Sequence, residues 1–382
     1  MRARVCMVVY SYYPKDARVR REAEALAKHG YDVTVICLRE AHEKRNEVVN
    51  GVKVFRLPMQ TAREGKKLRY IYQYSMFFLL AFWALSVMHM RHRYRIVHTH
   101  SLPDFIVFTA ILPKLTGAKV ILDLHEAMPE IYLAKMHAKP GGALHRTMLF
   151  LENISANFAD AVITVSDYIK KIFVSRGMEE KKITVIWNVP DINEFVEPTW
   201  KDTKKIVFAG NLNEYQDFDT VLDGMCGLEG VELHVYGDGI LLPHIKKKVE
   251  ELKLGEKVFL HGWVSQKVVH EKMLEHAIVI LPFVDNEITR MAVGNKVFEA
   301  TVLGRPIVAP ELPALQELFG DALYYYKPGS PASFVQAIER VFMEREKACI
   351  CVRKAQERMK ERKISWLENE KKLLALYNPA NT

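Results

Sequence analysis

The sequence predicts an α/β protein of two Rossmann-like domains facing a cleft, on three observations. Short apolar runs alternate with helical stretches from the N-terminus onward, the pattern of parallel, doubly wound sheets. The alternation breaks once, between Asn188 and Thr203, and then restarts. At 382 residues the chain is too long for one ordinary core.

Val5–Tyr10 reads as the first strand, followed by the loop Ser11–Lys15 and a helix from about Asp16 to His29 that Gly30 closes. Tyr31–Leu38, Val52–Leu57, Ile96–Thr99, Lys119–Asp123, Ala161–Val165 and Ile183–Ile186 continue as strands with helices between them. The stretch NVPDINEFVEPTWKDT holds two prolines and little periodicity, and reads as a linker. Beyond it, Lys205–Ala209, Val231–Tyr236, Lys257–Leu260, Ile278–Leu281, Pro306–Ala309 and Leu323–Tyr326 read as strands. The tail from Ser333 reads as helices, ending in ISWLENEKKLLALY. The expected layout is a first domain at 1–188, a linker at 189–203, a second domain at 204–360 and a terminal helix at 361–382.

One segment resists this alternation. YIYQYSMFFLLAFWALSVM, from Tyr70 to Met88, carries no charge and is long enough to cross a bilayer. It falls between two strands of one predicted sheet, so a spanning helix would split a domain across the membrane. Two readings remain: a helix buried on every side, or one lying in a membrane interface. The basic flanks, Lys66, Lys67 and Arg69 before it and Arg91, Arg93 and Arg95 after it, favour peripheral contact with anionic lipid through residues 66–95.

Hydrophobic residues make up 49% and charged residues 26% of the chain, as in a folded globular protein. A net charge of +8 and a pI near 9.0 suggest anionic partners. No nucleic-acid-binding motif is present, so nucleic acid is not an expected partner. The five cysteines form no CxxC pair, and the chain opens directly into a strand. Both features fit a cytoplasmic protein, with a possible place on the cytosolic face of a membrane.

The stretch with most chemical content is EITRMAVGNKVFEATVLGRPIVAP, from Glu287 to Pro310, read as a loop, a short helix and a buried strand. Gly294 and Asn295 suit the helix N-terminus. Lys296 then lies where the helix dipole disfavours a cation unless an anion is near, and Glu299 lies among apolar neighbours. A phosphate over the helix and a sugar hydroxyl at Glu299 would explain both; so would two side chains pointing to water. Gly210 and Gly237-Asp238-Gly239 follow strands and permit close backbone approach. Asp217-Phe218-Asp219 reads as a helix cap, and no His/Asp/Glu cluster suggests a metal. His125, in LDLHE, is expected at the carboxyl edge of the first sheet, beside Glu126. Arg18, at the start of the first helix, invites an anion.

The ordered set DARVRREAEALAKHGYDVTVI, THSLPD, LDLHEAMPE, VSDYIKK, WNVPD, FAGNL, VYGDG, FLHGW, GNKVFEATVLGRPIVAP and SWLENEKKLLALY resembles family 4 glycosyltransferases over nearly the whole chain. The resemblance implies the GT-B fold, a nucleoside diphosphate sugar held by the C-terminal domain, transfer with retention, and no metal or cofactor. It implies a terminal helix crossing back to the N-terminal domain. It makes Glu299 the second glutamate of an E-x7-E motif gripping the ribose, with Met291–Lys296 along the sugar and diphosphate. It sets His125 opposite the donor sugar, and Trp263 and Val264 beside the base. The sequence departs from the family at Met291, where the first glutamate would stand, and at Asn211 and Gln216, where Arg and Lys usually hold the diphosphate. Lys296, Arg290 and Arg18 are the nearest substitute cations.

These features predict a metal-independent glycosyltransferase acting on a glycan or lipid-linked acceptor, in cell-surface polysaccharide or glycolipid assembly. Two alternatives stay open on sequence: a nucleotide-sugar epimerase on a similar fold, and a silent nucleotide-binding scaffold.

Overall fold

A computed structural model describes residues 3–60, 67–136, 139–191 and 194–378. They form two units, Met1–Asn188 with Glu368–Thr382, and Val189–Leu367.

The first unit is built on eight strands: β1 (Arg4–Tyr12), β2 (Asp32–Leu38), β3 (Asn46–Val49), β4 (Val52–Leu57), β5 (Ile96–His100), β6 (Lys119–Leu124), β7 (Ala161–Thr164) and β8 (Ile183–Val185). Their order is β3-β4-β2-β1-β5-β6-β7-β8. Val5 to Val9 are all buried, as expected of a central strand covered on both faces. After β1 the chain first winds to one side, through β2 and β4, and then returns to place β5 on the other. That reversal opens a crevice at the carboxyl ends of β1 and β5, where open α/β sheets bind ligands.

The sheet is not purely parallel, as the sequence suggested. β3 pairs antiparallel with β4. Asn50 and Gly51 between them have φ of 50° and 84°, the left-handed pair that a two-residue hairpin needs. The terminal helix Trp366–Tyr377 belongs to the core of this unit through Leu373 and Tyr377. Its Asn369 side chain accepts from the Trp187 amide at 3.1 Å and donates to the Trp187 carbonyl at 2.6 Å, completing backbone groups that no strand satisfies.

The helix Lys67–His92 lies between β4 and β5 in the chain. It is long and apolar enough to cross a membrane by length and composition. Gln73, Phe77, Ala81, Leu85 and His89, four residues apart, form its buried face. Tyr72, Leu79, Trp83, Val87 and Met90 stay exposed, Trp83 to 66%. Burial on every side is therefore ruled out. Arg69, Arg91, Arg93 and Arg95 are exposed, and Lys66 lies outside the described residues.

The second unit carries β9 (Lys205–Ala209), β10 (Glu232–Tyr236), β11 (Val258–Gly262), β12 (Ile278–Ile280), β13 (Ile307–Pro310) and β14 (Tyr324–Tyr326), in the order β11-β10-β9-β12-β13-β14. Every pairing is parallel. The winding reverses between β9 and β12. The 189–203 stretch packs within this unit. The Val196 amide bonds the Val302 carbonyl at 2.8 Å, and buried Arg305 donates to the Thr199 carbonyl at 2.9 Å.

Candidate active site

In the second unit, the loops after β9 and β12 meet at the reversal point. The Asp217 amide donates to the Pro282 carbonyl at 2.6 Å, the Val284 amide to Tyr215 at 3.0 Å, and Gln216 bridges Phe283. Gly210, Gly237 and Asp238 join the same edge, where the Leu212 amide bonds the Asp238 carbonyl at 3.0 Å. A Cβ on Gly237 would lie 1.9 Å from the Gly210 carbonyl oxygen. That glycine therefore serves the packing of one loop against the next, where the sequence suggested approach to a ligand. The Asn211 and Asp238 side chains are exposed. Trp263, just past β11, is 77% exposed and stands as a free aromatic surface, with Val264 half-buried beside it. Asp217 caps the helix Phe218–Gly227 through the Thr220 amide at 3.1 Å.

The segment read as a loop before Gly294 is partly helical. Glu287–Met291 forms a short helix because Asn286 and Thr289 make a reciprocal capping box. Met291 is buried. Arg290 holds Asp285 through two contacts of 2.5 and 3.0 Å, so it would have to leave that pair to reach a phosphate. Gly294 then caps the helix Asn295–Val302, and the Phe283 ring occupies the space a Cβ on Gly294 would need.

Lys296 and Glu299 lie three residues apart on this helix and pair at 2.7 Å. His270 adds a second contact to the same Glu299 oxygen, Oε2, at 3.2 Å. Burial alone would raise the Glu299 carboxyl, but His270 and Lys296 hold it below its ordinary value. The two residues that sat oddly in the sequence thus answer each other. His270 comes from the helix Gln266–Glu275 and was not visible as their partner in the sequence.

In the first unit, the loops after β1, β5 and β6 gather polar groups at the reversal point. Asp16 caps the helix Ala17–Lys28 and pairs with Arg18 at 3.3 Å. His125 is buried, and its Nε2 lies 2.7 Å from Asp123 Oδ2. Burial and the nearby Arg18 charge push the His125 imidazole down to about 4, so it is neutral at pH 7. Neither ring nitrogen of His125 has a formed hydrogen bond among the described residues, so the neutral ring offers one buried lone pair. Glu126 beside it is exposed.

Behind His125 lies a cluster that sequence reasoning missed. Glu22, His98, His100 and Asp123 each bring one ligand-type atom within 4.8 Å of the others, and all four are buried. The signal was present in His98-Thr99-His100, since residues two apart on a strand face the same way. Burial works against the Asp123 charge, but His125 and His100 hold its carboxyl well below the usual range. Burial and the Asp123 charge push Glu22 well above it.

Residues 16–188 match the family described as glycosyl transferase 4-like domain, and residues 203–344 match glycosyl transferases group 1. Over 131 residues the chain is 27% identical to the lipopolysaccharide 1,6-galactosyltransferase of Salmonella typhimurium, covering 32% of this chain and 36% of that protein. It therefore spans about a third of that relative's length. The fold is similar to that of sucrose-phosphate synthase from Thermosynechococcus elongatus, with a TM-score of 0.78 at 15% identity over 98% of both chains. It is also similar to HepE of Anabaena in complex with UDP, with a TM-score of 0.71 at 14% identity over 98% of both chains. With both family domains matched in tandem and each falling on its own α/β unit, the chain belongs to the family 4-like glycosyltransferases of the GT-B fold.

Proposed function

We propose that the chain transfers a sugar, with retention, from a nucleoside diphosphate sugar to a hydroxyl on a glycan or lipid-linked acceptor. The observation that carries this reading is the Lys296–Glu299 pair at the start of the helix Asn295–Val302, beside the reversal point of the second sheet. An ammonium has three donors, and Glu299 takes one. The others remain for a phosphate, alongside the backbone amides at the positive N-terminal end of the helix. Both contacts on Glu299 fall on Oε2, which leaves Oε1 for ribose hydroxyls.

The charge that develops as the diphosphate leaves is then met by Lys296 and these amides. The leaving phosphate oxygen takes the acceptor proton, since neutral His125 offers a lone pair for a hydroxyl but is too weak a base to hold a proton at pH 7. No divalent ion is required in this scheme. Similarity to a lipopolysaccharide galactosyltransferase and to a UDP complex makes UDP-sugars the first donors to test.

The exposed apolar stripe of the Lys67–His92 helix, with arginines at its end, supports docking on the cytosolic face of an anionic membrane. Incubation with UDP-, GDP- and ADP-sugars and lipid-linked glycan acceptors tests the activity. A new glycosidic bond of the donor's anomeric configuration is expected, and an inverted product would overturn retention.

A further inference from the structure

The first unit holds an arrangement that the transfer reaction does not use. Glu22 on the helix Ala17–Lys28, His98 and His100 on β5, and Asp123 on β6 converge behind His125. Four of their polar atoms, Glu22 Oε2, His98 Nε2, His100 Nε2 and Asp123 Oδ1, are buried without a hydrogen-bond partner among the described residues. Orphan atoms of this kind are few in folded proteins, and four on the residues of one buried cluster call for an explanation. The two carboxylates lie deep in the unit, and among the described residues their ion-pair contacts are to imidazoles only. Two carboxyl groups buried together can both carry charge only at high cost, and one divalent cation would neutralise both.

We propose that Glu22, His98, His100 and Asp123 form a structural zinc site. Two imidazoles with two carboxylates are a ligand set that zinc accepts in tetrahedral geometry. His100 Nδ1 is already 3.0 Å from Asp123 Oδ2, and His98 Nε2 lies 3.9 Å from it. Ligand atoms around a tetrahedral zinc sit about 3.4 Å apart, so small side-chain rotations close the shell. The Tyr377 hydroxyl lies 2.7 Å from His98 Nδ1. This is the outer hydrogen bond that ligating histidines usually make, and it leaves Nε2 free to bind the ion. The ion would join the first helix, β5 and β6, and through Tyr377 the terminal helix, immediately behind His125. It sits in a closed shell of protein ligands within the first unit.

The test uses untagged full-length protein, stripped with a strong chelator and titrated with zinc chloride or cobalt chloride. About one zinc per chain should bind, with a raised melting temperature, and cobalt should give the intense visible bands of a four-coordinate N/O site. Glu22→Gln and the double variant His98→Gln/His100→Gln should lose that equivalent. Tyr377→Phe, which alters only the outer hydrogen bond, should weaken affinity about 10–100-fold. His234→Gln, on the other unit, should bind as wild type does. Where a cluster variant fails to fold, the wild-type cobalt spectrum decides. No stoichiometric binding, a weak six-coordinate cobalt spectrum, or binding unchanged in the folded cluster variants would overturn the site.

Discussion

Lys296 Nζ lies 2.7 Å from Glu299 Oε2, across one turn of an eight-residue helix whose carboxylate is buried and whose ammonium is partly exposed. The pair does two things at once. It keeps a carboxylate ionised in an apolar setting, and it holds a cation at a helix N-terminus where the dipole alone would repel it.

The first prediction is energetic. In a double-mutant cycle with Lys296→Met and Glu299→Gln, the coupling in stability should be about 1–2 kcal/mol, because one partner is buried. Additive single and double variants in urea unfolding would show that the two side chains stand independently.

A second prediction separates binding from chemistry. Glu299→Gln should raise the donor KM more than it lowers kcat, because a ribose contact is made equally in ground and transition states. A large fall in kcat at unchanged KM would make Glu299 catalytic instead.

Divalent ions provide a third. The helix amides and Lys296 are proposed to carry the diphosphate charge, so adding magnesium or manganese should leave the transfer rate unchanged, and brief exposure to EDTA should leave activity intact. A rate that rises with either ion would place a metal on the diphosphate.

His276 sets a pH dependence in the second unit. Its ring is buried, Nδ1 contacts the Lys272 carbonyl at 2.6 Å, and burial lowers it from 6.5 to about 4. The unfolded chain therefore takes up a proton near pH 6.5 and the folded chain only near pH 4. Stability should fall as pH drops through that window, by about 1–2 kcal/mol from this residue after allowing for solvent screening. Melting curves of His276→Gln should lose less stability than wild type between pH 6.5 and 4.5, and identical losses would remove the assignment.

Membrane docking is open to a liposome test. Trp83→Ser should weaken co-sedimentation with neutral and acidic vesicles alike. Arg91→Gln with Arg95→Gln should weaken only the acidic case, by about 1 kcal/mol per charge, and less at high salt. Wild-type protein that ignores both vesicle types would assign the stripe another partner.

Much of this fold was legible because strands buried on both faces read as short apolar runs, and all thirteen expected strands are present. β3 escaped because NEVV is half-exposed and weakly patterned, although Asn50-Gly51 after it announced a hairpin. The loop assigned to Glu287–Met291 hid a helix of five residues, too short for periodicity and marked only by its Asn286 cap. Site residues on a single element were legible: Lys296 and Glu299 stand out by position along one helix. Partners brought from distant elements were not. Nothing in the spacing joins His270 to Glu299, or Glu22 and Tyr377 to His98, because those contacts exist only once the sheet has ordered the loops.

The central claim is that the helix beginning at Gly294 holds a nucleoside diphosphate through Lys296. Calorimetric titration of wild type and Lys296→Ala with UDP tests it most directly. Wild type should bind, and the variant should lose about 1.5–3 kcal/mol, the scale of one charge-assisted contact. Equal affinities of the two folded proteins for UDP would contradict the account.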